Sequence, residues 1–388
     1  MNNKKNLFIF ITVIFVMTLS SLALGFYFGK NYENLFLPDG LINPFISQQK
    51  QKELPLLKYS IPKLQKRDFE DSEIKIEELI EDYDEYTSYL FSYTTMGKKM
   101  TGQLNIPKLP PGIERKMPRK MPVIVMIRGW VPRESYYSGM GTKNAAAVFA
   151  KEGYITLAPD FFSYGGSDDE PENTWEARFI KPINVIELIK TVRESSKIEI
   201  SDEQNPDAVH PSALKLSPSQ IGIWAHSNGG QIALASLEIL EEPIPTTLWA
   251  PVTVPFPYSI LFFTDENEDE GKEARAWLAM FEADYDVLDF TITQHLDKLT
   301  GPIQLHHGNA DEAALQMWSD EFMLKIEAEN EKREDLLEEN KEDNGEKNTD
   351  LKEAIEIIYL KYPGADHNMK PVWNKVIQRD LEFFEEKL

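Results

Sequence analysis

The sequence predicts an α/β protein with an open, doubly wound and mostly parallel sheet, and two observations carry this prediction. Continuous apolar runs of strand length alternate with helical stretches of ten or more residues, which is typical of a parallel sheet covered on both faces. One of these runs leads directly into a serine-containing turn and a further helix. The apolar runs cover residues 123–127, 154–158, 221–225, 247–250, 303–306 and 355–360.

Charge and composition exclude several classes of function. The 388 residues hold 41 Lys and Arg against 64 Asp and Glu, a formal charge of −23 that repels nucleic acid. The chain contains no cysteine, which excludes disulfides, thiolate nucleophiles, Cys-ligated zinc, iron–sulfur clusters and lipoprotein anchoring. Any chemistry therefore uses oxygen or nitrogen groups, and we expect no cofactor.

The first element is an uncharged apolar run over residues 7–28. At 1.5 Å per residue it extends about 33 Å, enough to cross a hydrocarbon core of about 30 Å. Lys4 and Lys5 precede the run, so the positive-inside rule predicts a single-pass membrane anchor over residues 1–29 with the rest of the chain extracytoplasmic. The alternative is a cleaved signal peptide, because small residues near Ala23 offer processing positions. In that case the remaining domain is secreted.

The next segment, residues 30–84, is predicted to be a linker or stalk. Its first part is punctuated by four prolines, and its second part, 68–84, is charged and predicted to be helical. A folded domain is expected over 85–388. It begins with two β-rich halves within 86–106, joined by a turn at Met96, Gly97 and Lys98 that predicts a hairpin.

Two insertions interrupt the alternation of strands and helices. Residues 255–296 combine an acidic stretch with aromatic-rich helical sequence and are predicted to form a small lid over the strand ends. Residues 327–353 hold 12 acidic and 5 basic residues, which predicts a solvated helical hairpin or a disordered loop. A calcium site at Asp265, Asn267 and Asp269 is disfavoured, because the glycine that an EF-hand requires is displaced by one position, to 271.

The strongest local signal is the turn around Ser227. A buried strand runs into small-x-Ser-x-Gly and then into a helix, the context of a nucleophile elbow. The small residues Ala225 and Gly229 allow the backbone to turn sharply enough to present the Ser227 hydroxyl above the sheet. Ser163 has a similar spacing, but the bulky Phe161 and the poor helix start after it make Ser163 the weaker candidate.

A serine nucleophile needs a base and a carboxylate, which follow it in the chain in this context. Asp311 lies in the turn after one predicted strand, and His367 lies in the loop between the last strand and the last helix. The predicted catalytic residues are therefore Ser227, Asp311 and His367, with Glu312 as the neighbouring alternative acid. A metal hydrolase using His306, His307, Asp311 and His367 is disfavoured, because the two adjacent histidines of the strand point to opposite faces.

The oxyanion formed on attack needs two N–H donors. The residue after the nucleophile, Asn228, supplies the first. The second is expected from the loop after an early strand, where Gly129 permits the chain to turn and the Trp130 amide is the candidate. The alternative is that Trp130 only packs against the lid.

With these motifs, the sequence resembles the α/β-hydrolase superfamily, and within it the catalytic domain of prolyl oligopeptidase-like serine peptidases. The resemblance covers about 86–388 and rests on the elbow and on residues 128–136, 153–160, 164–168, 307–311 and 365–367. It implies a serine peptidase of small peptides with Ser227 as nucleophile, Asp311 as the orienting acid and His367 as general base.

The sequence departs from that family at several points. Ala225 replaces the glycine that usually opens the elbow, and Arg128 replaces a histidine and brings a charge near the site. Residues 30–121 number only 92, whereas a four-bladed N-terminal propeller needs about 160. The acidic insertion also lengthens the stretch between Asp311 and His367. These departures leave two alternatives open, a carboxylesterase acting on small esters and a catalytically inactive binding scaffold of the cell envelope.

Overall fold

The computed structural model describes residues 52–108, 120–194, 199–200, 215–265, 268–342 and 351–388. The chain divides into two compact units, Met1–Glu53 and Leu54–Leu388, and the account below concerns the second. The apolar run 7–28, predicted to span the membrane, lies outside the described residues. Within the described ranges, no helix has the length and apolarity that a membrane crossing requires.

The described strands form one sheet, and helices lie between most of them. The strands are β1 Lys75–Asp82, β2 Tyr86–Thr95, β3 Lys98–Pro107, β4 Lys120–Ile127, β5 Ile155–Pro159, β6 Glu199–Ile200, β7 Lys215–His226, β8 Thr246–Trp249, β9 Ile303–Gly308 and β10 Ile357–Tyr362. The helices are α1 Ile61–Leu64, α2 Lys143–Lys151, α3 Thr174–Phe179, α4 Lys181–Glu194, α5 Asn228–Leu240, α6 Tyr258–Thr264, α7 Lys272–Glu282, α8 Gln316–Glu342 and α9 Trp373–Lys387. All six apolar runs of the sequence fall on strands, as predicted.

The strand order is β10-β9-β8-β7-β4-β5-β3-β2-β1-β6. The strands β5, β4, β7, β8, β9 and β10 are mutually parallel, whereas β5–β3, β3–β2 and β2–β1 are antiparallel pairs. The sheet is therefore mostly parallel, as the sequence predicts. Since parallel strands end at one edge, the loops after β4, β7, β8, β9 and β10 meet there, which is where sites form in such sheets.

Both faces of the sheet are buried, which explains why its strands are continuously apolar. Along β4, Val123 and Val125 pack into the cluster that holds α4 and α5. Ile124 and Met126 pack into the cluster that holds α2 and α9. Alternate side chains of one strand thus enter two different cores, the arrangement of a doubly wound sheet.

The predicted hairpin is present as β2 and β3, which pair in register from Tyr86↔Pro107 to Thr95↔Lys98. Met96 and Gly97 connect the strands and both have positive φ, 53° and 72°. Positive φ at both central residues is the condition for the two-residue turn whose twist matches the flanking strands.

The helix predicted within 68–84 is wrong, because this segment contains strand β1. β1 pairs with β2 from Lys75↔Ser92 to Asp82↔Thr87. Ile74 and Ile76 are buried while their neighbours are exposed, a period of two that the surrounding charges obscured. An unpaired edge of β2 outweighs the helical propensity of a glutamate-rich segment.

The described second half of the predicted linker 30–84 also differs from the expectation. The compact unit begins at Leu54, not at residue 85. Leu56, Tyr59, Ile61 and Leu64 are all at least 94% buried in the main core. These apolar residues lie in or beside a 3₁₀ turn, Leu57–Tyr59, and the helix α1, and Pro62 occupies the first turn of α1, where proline is tolerated.

The two insertions contain helices. Residues 255–296 form α6, α7 and three short 3₁₀ helices, and the rings of Phe179, Phe256, Phe281 and Phe290 pack together where this segment meets α3. In the acidic insertion, residues 327–342 form the second part of helix α8, so this half is helical, as one of the two predicted alternatives requires. Residues 343–350 lie outside the described ranges.

Candidate active site

Ser227 lies in the sharp turn between strand β7 and helix α5. Its backbone has φ 58° and ψ −126°, a conformation that costs a residue with a side chain of order 1–3 kcal/mol. The turn is held on both sides, because the Ser227 N–H donates to the Trp249 carbonyl (2.9 Å) and its carbonyl accepts from the Gly230 and Val252 N–H groups. Neighbouring structure therefore maintains a strained serine at the carboxyl edge of the sheet.

Two glycines allow this turn to pack against the end of β4. A Cβ on Gly229 would lie 2.3 Å from the Ile127 carbonyl oxygen, so only glycine fits where α5 begins. A Cβ on Gly129 would lie 2.8 Å from the Cβ of Ser227. The loop after β4 therefore passes directly beside the serine, which is the place expected for the second oxyanion donor.

Asp311 and His367, predicted from two separate loops, are in direct contact. Asp311 follows β9, His367 follows β10, and His367 Nδ1 lies 2.8 Å from Asp311 Oδ2. Since a carboxylate only accepts, Nδ1 carries the hydrogen and Nε2 is left free to take a proton. No hydrogen bond joins the Ser227 hydroxyl to His367 within the described structure. Such contacts are often long before a substrate binds.

Asp311 is buried, and both of its carboxylate oxygens have hydrogen-bond partners. Its Oδ1 accepts from the N–H groups of Ala313 and Ala314, both at 2.9 Å, and the His307 Nε2 lies 3.3 Å from Oδ2. Burial alone would raise the pKa of Asp311. The hydrogen bonds from His307, His367 and the Ala314 N–H outweigh burial and hold that pKa well below its usual value. Asp311 is therefore a fixed negative charge beside His367.

His307 is a contact of Asp311 that the sequence motifs did not predict. Its Nε2 also donates to the Ala314 carbonyl (2.7 Å), and its Nδ1 accepts from the Ser319 hydroxyl (2.7 Å). His306 faces the other core and contacts Asp380 and Tyr362. The opposite orientation of these neighbours was predicted. The spacing of His307 and Asp311, four residues apart across a strand end, is the sequence signal that could have paired them.

His226, the residue before the serine, contacts the loop of the predicted base. Its ring centroid lies 4.7 Å from that of His367, and its Nε2 donates to the His367 carbonyl at 2.9 Å. Burial, and next the neighbouring His367, lower the pKa of His226 to about 4. His226 is therefore neutral at pH 7 and stabilises the loop that carries His367.

The oxyanion donors stay predictions, but the structure describes their surroundings. Asn228 is the first residue of α5, and Trp130 is 74% exposed, so its side chain does not pack under the lid. The Arg128 guanidinium is buried over the rings of Tyr136 (4.8 Å) and Tyr164 (4.1 Å) and donates to the Gly129 carbonyl (2.9 Å). That carbonyl and the Trp130 N–H belong to one peptide unit and point in opposite directions.

The structure also describes the surroundings of the residues that were weighed as an alternative nucleophile, an alternative acid and metal ligands. Ser163 has positive φ, but its hydroxyl accepts from the Glu170 N–H (2.9 Å), and no helix follows it directly. Glu312 is exposed, whereas Asp311 is 95% buried.

Asp269, one residue of the disfavoured calcium site, accepts hydrogen bonds from the N–H groups of Gly271 and Glu273 at the start of α7. Over the described ranges no cluster of three or more His, Asp or Glu side chains could hold a metal ion.

Comparison with known proteins gives no sequence match, since neither a family model nor a curated protein matches this chain. Solved structures do match. An acetyl xylan esterase from Paenibacillus sp. R4 has a TM-score of 0.56 at 15% identity, covering 83% of this chain and 91% of that one. Acetyl xylan esterase 1 from Thermoanaerobacterium sp. JW/SL YS485 has a TM-score of 0.53 at 12% identity, covering 85% and 94%.

A puromycin-hydrolysing peptidase of Mycobacterium tuberculosis has a TM-score of 0.50 at 14% identity, and the match covers 79% of this chain and 40% of that one. Identities this low establish the fold only. The strand order, the elbow at Ser227 and these structural matches agree with one another. This chain therefore has the α/β-hydrolase fold, as its sequence resemblance implies.

Proposed function

We propose that this protein is a serine hydrolase that works through an acyl-enzyme on Ser227. The Ser227 oxygen bonds to the substrate carbonyl carbon while its proton passes to His367 Nε2. The leaving group departs with that proton, and a water molecule then hydrolyses the acyl-serine by the reverse proton path. The observation that carries the proposal is the His367–Asp311 hydrogen bond of 2.8 Å in the loops beside a strained serine.

A fluorophosphonate probe tests this proposal, because it labels only an activated serine. We expect the wild-type chain and a Ser163→Ala variant to be labelled and a Ser227→Ala variant to remain unlabelled. Circular dichroism on each variant confirms that it is folded. A folded wild type that is never labelled would instead support the inactive envelope scaffold.

We further propose that the substrates are small carboxylic esters. This chain spans 91% and 94% of the two acetyl xylan esterase structures, so it resembles them over nearly their whole length. It spans only 40% of the peptidase structure. The length of the matching region therefore favours an ester hydrolase.

A peptidase of the prolyl oligopeptidase-like type is the second candidate, and the motifs around residues 128–136 and 164–168 favour it. Turnover of a short nitrophenyl ester and of a prolyl peptide amide by the same preparation separates the two. We expect rapid ester turnover and little or no amide turnover. Comparable kcat/KM values for the amide would establish the peptidase instead.

We also propose that the domain is extracytoplasmic and held by a single membrane anchor over residues 7–28. The uncharged run and the preceding Lys4 and Lys5 support this topology. Fractionation of cells producing the full-length chain, followed by protease treatment of intact spheroplasts, tests it. We expect the chain in the membrane fraction and accessible to protease.

A further inference from the structure

A narrow cleft lies along helix α5, whose first residue follows the candidate nucleophile. It has a volume of about 60 Å³, and Asn228, the residue after Ser227, forms part of its wall. Most of its remaining wall is apolar, with Ile232 from α5 and Phe256, Phe290 and Ile292 from the lid segment. The cleft therefore has room for a group of a few heavy atoms next to the expected oxyanion donor.

Two cations, Arg178 and Lys181, line this cleft. One Arg178 nitrogen, Nη2, donates to the Gln231 side-chain oxygen (2.9 Å) and to the Ser259 hydroxyl (3.2 Å), both neutral acceptors. Across the described part of the chain, neither cation has a carboxylate within 4.0 Å, and the Lys181 ammonium has no hydrogen-bond acceptor. Both positive charges are therefore available to a ligand.

The position of Lys181 is unfavourable for folding. Lys181 is the first residue of the 14-residue helix α4, where the helix dipole disfavours a positive charge. Acidic residues outnumber basic ones by 64 to 41, so partners were available in the sequence. The nearby carboxylate of Glu170 is instead paired with Arg133. Burial and then the charge of Arg178 lower the pKa of Lys181 to about 8, and the more distant Glu170 only partly opposes this shift.

We propose that this cleft binds the acyl group of the substrate and that this acyl group carries a carboxylate, as in a monoester of a small dicarboxylic acid. The ester carbonyl lies at Ser227 and Asn228, and the acyl chain extends between the apolar walls to the guanidinium of Arg178 and the ammonium of Lys181. A carboxylate there completes charge-assisted hydrogen bonds that the protein leaves open. The inference rests on the proposed serine hydrolase function and defines its substrate class.

The test compares two nitrophenyl esters that differ in one terminal group, the butyrate and the hemisuccinate. For the wild type we expect a higher kcat/KM with the hemisuccinate. In Lys181→Met the ratio of hemisuccinate to butyrate turnover should fall about tenfold or more, as for a lost charge-assisted hydrogen bond. Lys143→Met is the matched control, because Lys143 is exposed and borders a different cavity, so its ratio should not change.

Succinate binding provides a readout that does not depend on catalysis. Calorimetry on Ser227→Ala should show succinate binding that weakens about tenfold in Ser227→Ala/Lys181→Met and stays unchanged in Ser227→Ala/Lys143→Met. Fluorophosphonate labelling together with equal ester ratios in wild type and Lys181→Met would overturn the inference and keep the hydrolase. Succinate binding that is absent, or indifferent to Lys181, would overturn it whether or not the serine labels.

Discussion

At the scale of single residues, the three predicted catalytic residues and their order along the chain could be read from the sequence. The contacts that hold these residues in place could not. Ser227, Asp311 and His367 each follow a predicted strand, and parallel strands end at one edge, so topology brings their loops together. The contacts of His226 and His307 depend on how two loops cross, which a local pattern does not encode. Their distances of 2.9 Å and 3.3 Å appear only in the folded chain.

Asp311→Asn tests the predicted orienting acid. We expect kcat for a short ester to fall about 10³- to 10⁴-fold, because the amide no longer fixes the His367 tautomer or stabilises its protonated ring. Steady-state kinetics provides the measurement. Glu312→Gln is the matched control, because the Glu312 side chain is exposed and is not expected to orient His367. The kcat of this variant should stay within a factor of about two of the wild-type value. A larger loss in Glu312→Gln would transfer the role to Glu312.

His226 predicts how stability depends on pH. Its pKa is about 4 in the folded chain and about 6.5 in the unfolded one, so between these values the unfolded chain binds the extra proton. Stability is therefore lost as the pH falls from about 6.5 towards 4. A wholly buried ring with this shift would contribute about 3 kcal/mol, and we expect about 2 kcal/mol because His226 is partly exposed.

Urea unfolding of wild type and His226→Gln at pH 7 and pH 4.5 measures this contribution. The wild type should lose about 2 kcal/mol more than the variant on acidification, since glutamine keeps a donor for the His367 carbonyl but has no proton to gain. Other titrating groups act equally on both chains. Equal losses would show that His226 titrates normally in the folded state.

At the scale of elements, the strands of the parallel sheet were predictable, whereas the extent of helix α8 was not. The continuous apolar runs reflect burial on both faces, a property of each strand itself. The helix α8 was obscured by its charge, because only a few of its side chains, such as Ile326 and Phe322, are buried among many acidic neighbours. Which residues of a charged helix are buried depends on the surface against which it packs.

Arg333 is the residue that attaches α8 to the rest of the domain. It is 96% buried and donates to the carbonyls of Leu296 (2.8 Å), Leu299 (3.0 Å) and Glu353 (2.9 Å), with Glu329 as its ion pair. We expect Arg333→Met to lower the free energy of unfolding by about 2–4 kcal/mol, because it leaves buried carbonyls without a donor and removes one of the two ion pairs of the partly buried Glu329.

The neighbouring Lys332 supplies the matched control. Its side chain is exposed and pairs with Glu329, so Lys332→Met should change stability by no more than about 0.5 kcal/mol. Urea denaturation of the two variants under the same conditions compares them. Equal small effects would mean that α8 is attached mainly by its apolar residues.

At the scale of the whole molecule, the boundary of the folded unit is the feature that sequence reasoning placed wrongly. Motif resemblance begins at about residue 86, and the prolines before it resembled a stalk. Yet residues 54–84 supply strand β1, which lies between β2 and β6, and a buried helical turn to the same core. A resemblance locates the part of a chain that carries recognisable motifs, whereas burial decides the part that folds.

Truncation measures where this boundary lies. A chain of residues 52–388 should fold cooperatively, whereas a chain of residues 85–388 should not. The shorter chain lacks six buried apolar side chains, namely Leu56, Tyr59, Ile61, Leu64, Ile74 and Ile76. At about 1.5–3 kcal/mol each, their loss equals or exceeds the 5–15 kcal/mol that stabilises a typical domain, and it exposes the edge of β2. Circular dichroism with thermal unfolding distinguishes the two chains. An 85–388 chain that unfolds at the same temperature as 52–388 would restore residues 54–84 to the role of a linker.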